Sequence, residues 1–188
     1  MSRVSRREQI LDTAAGLFAA RGFHGVSVAE LGAACGISGP ALYKHFGSKD
    51  ALLAAMLEQI SEHLLDEGRR RVAEAGSPAA ALRGLVAHHV DFALEHPALI
   101  VVQDRDWASL PDAARERVRD LQRAYVEEWA DQVSALHPGL TPDEARATAH
   151  VVFGLVNSTP HSALLPADEM RGLLTAAALR VLEVPAGG

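Results

Sequence analysis

An all-α fold of about nine helices is predicted by three features of the sequence. Apolar residues recur at three- and four-residue spacing along most of the 188 residues. Ala and Leu dominate the aliphatic content, β-branched runs are short, and no segment alternates as a strand does. The interruptions fall at Gly or Pro, usually beside a side chain suited to capping. A chain of this length can build one sizeable core, or two modules that share a helix.

The first helix is expected from about Ser5 to Arg21, with Ile10, Leu11, Ala14, Leu17 and Phe18 as its apolar stripe and Gly22 as its stop. Ser27 followed three residues later by Glu30 is a capping box, opening a short helix whose inner face is read as Val28, Leu31 and Ala34. Gly36 closes that helix. Ile37 seals the turn, and Ser38 caps a third helix with Pro40 in its first turn, where the missing N–H costs nothing. That helix ends near Phe46–Gly47. Ser48 then caps a long fourth helix through Leu52, Leu53, Met56, Leu57, Ile60 and Leu64 towards Val72. Further helices are expected over 78–95, 97–108, 111–136, 142–158 and 167–183, with a loop across Pro160 to Pro166. Thr141-Pro142-Asp143-Glu144 is another capping box. The division expected is 1–48 for an N-terminal three-helix module and 49–188 for a helical body.

The net charge of −6 is unevenly spread. Residues 1–50 carry six Lys/Arg against four acids, or +2, whereas the remainder carries twelve against twenty, or −8. A basic head on an acidic body is the asymmetry of a chain that meets phosphate at one end. The charged N-terminus lacks the apolar stretch of a signal peptide, and the longest uncharged run, 147–167, is too polar and proline-broken to span a bilayer. The single Cys35 excludes an internal disulfide and fits a reducing cytoplasm, as a small core residue. No Gly-rich phosphate loop follows a strand, and no nucleophile stands in an α/β frame, so an enzyme is not expected. His88, His89, Asp91 and His96 form the densest His cluster, but adjacent His residues face different sides of a helix, so neither metal nor cofactor is expected.

Two short helices joined by Cys35-Gly36-Ile37-Ser38 make a helix-turn-helix, the shape that sets a second helix into a major groove. Gly36 can adopt the left-handed turn conformation; Leu31, Ile37 and Leu42 can pack the helices; Gly39, Pro40, Tyr43, Lys44 and His45 are left facing outward. The stretch from Ser27 to Leu52, and above all Leu42-Tyr43-Lys44-His45-Phe46-Gly47-Ser48-Lys49-Asp50-Ala51-Leu52, resembles the N-terminal domain of the TetR (tetracycline-repressor-like) family. The resemblance is close over about 6–65. It implies that Tyr43, His45 and Lys49 contact phosphates, with Ser27 and the amide ends of the second and fourth helices. Gly39, Pro40 and Lys44 would lie nearest the bases, with Lys44 the best candidate for direct readout because Gly39 and Pro40 bring no hydrogen-bonding side chain, and Ser38 is a further DNA-binding residue. Arg3 and Arg6, on an N-terminal arm, would reach a minor groove or flanking phosphate.

The resemblance further implies a homodimer on a palindromic operator in double-stranded DNA, with no membrane partner, and a body that binds a small-molecule effector. For the interface the last two helices stand out, through Val152 and Leu155 on one and Leu174, Ala178 and Val181 on the other. For the effector, polar residues within apolar helices are the candidates, His88, His89, Gln103, Trp107, Tyr125, His150 and Asn157, with Met56, Phe92 and Leu121 as apolar wall and Phe153 as a further pocket residue. The segment Asn157-Ser158-Thr159-Pro160-His161-Ser162 resembles family members that sense acyl-thioesters, which points to an apolar, acyl-CoA-like effector. The expected function is a sequence-specific transcriptional repressor relieved by that effector. The alternatives are a ligand-independent regulator, an activator or a general DNA binder.

Overall fold

The computed structural model describes residues 5–162 and 164–184. Arg3 lies outside the described residues. Among them the chain forms α1 (Arg6–Arg21), α2 (Val28–Ala34), α3 (Gly39–Phe46), α4 (Lys49–Glu74), α5 (Pro78–Glu95), α6 (Pro97–Asp106), α7 (Asp112–Leu136), α8 (Pro142–Val156), α9 (Thr159–Ser162) and α10 (Ala167–Val181), with a 3₁₀ turn at Trp107–Ser109. Nine of these are full helices, as the periodicity predicts, and α9 is a single four-residue turn inside the expected loop. No described helix is by itself long and apolar enough to cross a membrane.

Caps set most of the boundaries. Ser5, Ser27 and Thr141 each accept a hydrogen bond from the backbone N–H three residues on, and the Glu there reaches back to the capping residue's own N–H. Ser38, Ser48 and Ser77 cap α3, α4 and α5 with the hydroxyl alone. These are interactions between near neighbours, which is why they can be read from sequence.

Packing divides the chain into two compact units: the described residues up to Ile60 together with Ala98–Arg119, and Ser61–Pro97 together with the described residues from Asp120 onward. This differs from the expected boundary at 48. The first turns of α4 belong to the N-terminal unit because Leu52, Leu53, Met56 and Leu57 are buried in one core with Ile10, Phe18, Leu31 and Phe46. Val102, Leu110, Ala114 and Val118 complete that core from a segment remote in sequence. Arg105 seals the join, donating to the carbonyls of Phe18 and Ala19 at the end of α1, while the buried Asp106 carboxylate accepts from the Phe23 N–H at 3.2 Å.

In the second unit α10 packs on α5 and α8. The buried face of α8 is Ala145, Ala149, Val152 and Val156, and that of α10 is Met170, Leu174 and Ala178. Val152, Leu174 and Ala178, expected at a subunit interface, are therefore core residues of the chain itself. The outer faces carry Val151, Leu173 and Val181, which are 57%, 53% and 37% exposed, and the half-buried Leu155. Residues 151–156 of α8 are apolar nearly all round, so the sequence alone leaves the phase of that helix's buried stripe open.

Gly32 is the tightest point of the helix-turn-helix. A Cβ there would lie 2.8 Å from the Ile37 carbonyl oxygen and 3.2 Å from the Gly39 nitrogen. Gly32→Ala gains about 1 kcal/mol of helix propensity but meets backbone that cannot yield cheaply, so the net expectation is a loss of about 1–3 kcal/mol. A urea titration should show a lower midpoint at unchanged slope; a raised midpoint would contradict this packing.

Candidate functional site

The turn between α2 and α3 is a Schellman motif. Gly36, at φ 65°, donates its N–H to the Ala33 carbonyl (3.1 Å), and Ile37 donates to the Gly32 carbonyl (2.9 Å). Leu31 and Leu42 are buried beneath it and Ile37 packs against the same core. Val28 is partly buried on the inner face as expected, but Ala34 is exposed; Gly32 and Cys35 take its place, because 28, 31/32 and 35 are the positions that share one helical stripe. Burial raises the Cys35 thiol pKa, as suits a core residue.

On α3 the buried residues are Leu42 and Phe46. The positions between them, Tyr43, Lys44 and His45, are all exposed, with Tyr43 47% accessible despite its size. Among the described residues Lys44 has no hydrogen-bond or ion-pair partner, so its charge is available. Pro40 is exposed and Gly39 half-exposed at the N-terminus of the same helix, where Ser38 accepts from the Ala41 N–H at 3.3 Å. The result is one outward strip with a cation, a phenol and an imidazole, over a rigid floor.

Three of the residues expected at DNA have partners within the chain. The Lys49 ammonium donates to the carbonyls of Phe23 and Val26, both at 2.9 Å, and stands 4.3 Å above the Phe23 ring. Arg6 is the first residue of α1 rather than part of an arm, and its guanidinium donates to the Cys35 carbonyl, tying α1 to the turn. The Ser27 hydroxyl accepts from the Glu30 N–H (3.2 Å) and donates to the Glu30 carboxylate (2.7 Å). Bonds from Ser27, with Arg21 at 2.5 Å, push the Glu30 pKa down to about 2, so an anion already occupies the start of α2. Lys49, Arg6 and Ser27 thus build the module that presents α3.

The residues named for an effector divide between the units. Met56 is core in the N-terminal unit, Trp107 packs against that core under Arg119 (5.9 Å), and Gln103 lies in the same unit. His89, Phe92, Tyr125, Phe153 and Asn157 are brought together in the second unit. His89 has ring centroids at 4.9 Å (Phe153), 5.6 Å (Phe92), 5.8 Å (Tyr125) and 6.0 Å (Trp129), and its Nε2–H donates to Asn157 Oδ1 at 3.0 Å. Trp129, fully buried at the centre of this cluster, was not among the expected residues. Its position four residues after Tyr125 on one helix face is the signal that could have found it. Among the described residues no group of three His, Cys, Asp or Glu side chains is arranged to hold a metal.

An exposed polar surface on the second helix of a helix-turn-helix is the arrangement found in DNA-binding proteins. The family model described as "Bacterial regulatory proteins, tetR family" matches residues 10–56, and that described as "Tetracyclin repressor-like, C-terminal domain" matches residues 75–161. The HTH-type transcriptional activator FasR of Mycolicibacterium smegmatis is 30% identical over 165 residues, 87% of this chain and 73% of FasR. The HTH-type transcriptional repressor KstR2 of Mycobacterium tuberculosis is 27% identical over 128 residues, 68% of this chain and just under two thirds (64%) of KstR2. The crystal structure of AibR in complex with isovaleryl coenzyme A and operator DNA superimposes with a TM-score of 0.75 at 21% identity, covering 92% of this chain and 97% of AibR. The chain belongs to the TetR family of DNA-binding transcriptional regulators, which are not enzymes.

Burial pushes both neighbouring histidines of α5 down to about 4: His89 by desolvation, and His88 by desolvation with repulsion from Arg71 and His63. Both are neutral in the folded chain and take up protons on unfolding below about pH 6.5. Their contribution is therefore fully present above pH 6.5 and is lost as pH falls towards 4, by at most about 1.4 kcal/mol per pH unit for each. Urea midpoints measured between pH 7.5 and 4.5 should fall through that window. A flat profile would contradict the buried, neutral assignment.

Proposed function

We propose that the protein is a homodimeric, sequence-specific repressor that binds a palindromic operator in double-stranded DNA and is released by a small apolar effector, within the cytoplasm. The observation that carries this reading is the Tyr43-Lys44-His45 strip, exposed over buried Leu42 and Phe46. Lys44 reads a base edge, with guanine O6 and N7 its natural acceptors; Tyr43 and His45 hold phosphates; Gly39 and Pro40 let the backbone approach closely. Ser38 and Ser27 hold the helix starts, while Lys49 and Arg6 lock the module. Repression needs only occupancy of the operator, which this surface can supply.

Dimerisation fits the unsatisfied apolar outer faces of α8 and α10, at Val151, Leu155, Leu173 and Val181. A palindrome requires two heads at fixed spacing, and a pair of helices from each subunit would form a four-helix bundle. An acyl-CoA-like effector is supported by AibR, solved with isovaleryl coenzyme A, and by the aromatic cluster around His89. α4 is uninterrupted from Lys49 to Glu74, which supports a mechanism in which the effector shifts that helix and with it the head. The effector acts only through its different affinity for the two states. Activation is the second reading, favoured by the likeness to FasR; transcription of the regulated gene rises on deletion under repression and falls under activation.

Mobility-shift titrations test the DNA reading. Lys44→Ala should cost about 1–3 kcal/mol of specific affinity and relax the preference at one base pair, whereas Tyr43→Phe should weaken binding equally on all sequences. Unchanged specificity in Lys44→Ala would overturn the assignment. For the dimer, Val151→Arg combined with Leu173→Arg should sediment as a monomer and lose specific binding, and a persistent dimer would place the interface elsewhere.

A further inference from the structure

The two arginines that open α1, Arg6 and Arg7, reach the two ends of α3. Ser5 and Glu8 close a capping box around the start of α1, so both side chains project from a fixed first turn. Neighbouring residues on a helix point about 100° apart and do not face one partner. Arg6 turns to the α2–α3 junction, where its guanidinium donates to the Cys35 carbonyl and, at 3.2 Å, to Gln9 Oε1. The N–H groups that close the turn use the carbonyls of Ala33 and Gly32, and Arg6 answers that of Cys35. α2 has no basic residue in its own last turn, so Arg6 brings from another helix the cation that its C-terminal carbonyls favour.

Arg7 turns to the other end. Its guanidinium lies over the Phe46 ring, 5.0 Å from the centroid, and donates to Gln59 Oε1 on α4 at 2.9 Å. Phe46 is the last residue of α3 and forms its buried stripe with Leu42. Residue 46 stands about 200° round the helix from residue 44. Arg7 therefore holds α3 from behind, nearly opposite Lys44. α3 is only eight residues long, and releasing either end would let it tilt on its floor. A tilt moves Lys44 relative to a base edge, where hydrogen-bond geometry decides between base pairs. Phosphate contacts, by contrast, carry no sequence information.

We propose that Arg6 and Arg7 are positioning residues for DNA reading: together they bracket α3 and set how its outer strip meets the major groove, without contacting DNA. The inference rests on the sequence-specific reading of the proposed function. Binding of the full chain is measured on the duplex it enriches from a random pool and on a scrambled duplex of the same composition, across a range of salt. Arg6→Met and Arg7→Met keep an unbranched side chain and remove the cation. Each should lower the preference for the enriched duplex by about three- to tenfold, less than loss of the Lys44 reader itself. The slope of log affinity against log salt should stay that of wild type. A smaller folded fraction lowers both affinities alike, so their ratio reports position rather than stability. Gln59→Met removes Arg7's partner and no charge, and should lower the preference in the same direction. A slope shallower by about one per head in either arginine variant would make that arginine a phosphate contact and overturn the bracket. An unchanged preference in Arg6→Met, Arg7→Met or Gln59→Met would overturn it too. Failure of the underlying reading gives a different result: wild type itself would enrich nothing over scrambled DNA, and both would fall.

Discussion

The approach of α2 to its own turn at Gly32 governs the direction of every side chain on α3. Backbone oxygen and nitrogen lie 2.8 and 3.2 Å from where a β-carbon would stand, so α2 and the start of α3 approach more closely than a side chain at position 32 would allow. Gly36 in the left-handed region and the paired N–H bonds to Ala33 and Gly32 hold that approach with backbone atoms. Leu31, Leu42 and Phe46 then fill the space beneath. A rigid floor allows three polar residues in succession, Tyr43, Lys44 and His45, to face outward without costing the core anything.

Charge is managed in the same economical way. Most cations of the head hold structure: Lys49 clasps the carbonyls of Phe23 and Val26, Arg6 that of Cys35, and Arg105 those of Phe18 and Ala19. Each satisfies helix-end or loop acceptors that would otherwise need water. On the proposed function, direct reading of bases falls to Lys44, and a single reader per head is the reason that reading calls for two heads at fixed spacing. The second unit shows the converse pattern, with neutral histidines and aromatic rings buried together.

What was legible in the sequence is what depends on near neighbours. Capping boxes at Ser27–Glu30 and Thr141–Glu144, the Gly36 turn and the helix limits all involve residues within a few positions of each other. The exposed strip on α3 was legible too, because only Leu42 and Phe46 share its apolar stripe. The illegible parts are long-range or ambiguous in phase. Arg105 and Asp106 reach residues more than 80 positions away, so the membership of 98–119 in the head left no local trace. In α8, Val151 and Val152 are equally apolar, and only packing shows that Val152 faces inward. Lys49 and Arg6 looked like free cations because a carbonyl partner carries no sequence signature. For the effector residues, helical periodicity could nominate polar positions, but could not say that His89, Tyr125 and Asn157 meet while Met56, Gln103 and Trp107 serve in the other unit.

The proposed function requires two α3 helices, one from each subunit of a dimer, to read DNA as a palindrome. Selection of bound sequences from a pool of random double-stranded DNA by the full chain, followed by footprinting on the winners, addresses it most directly. The expected result is an enriched inverted repeat with half-site centres about one helical turn, or a whole multiple, apart and protection in successive major grooves on one face. An enriched pool without internal symmetry, or no enrichment with binding that merely fades as salt rises, would contradict it.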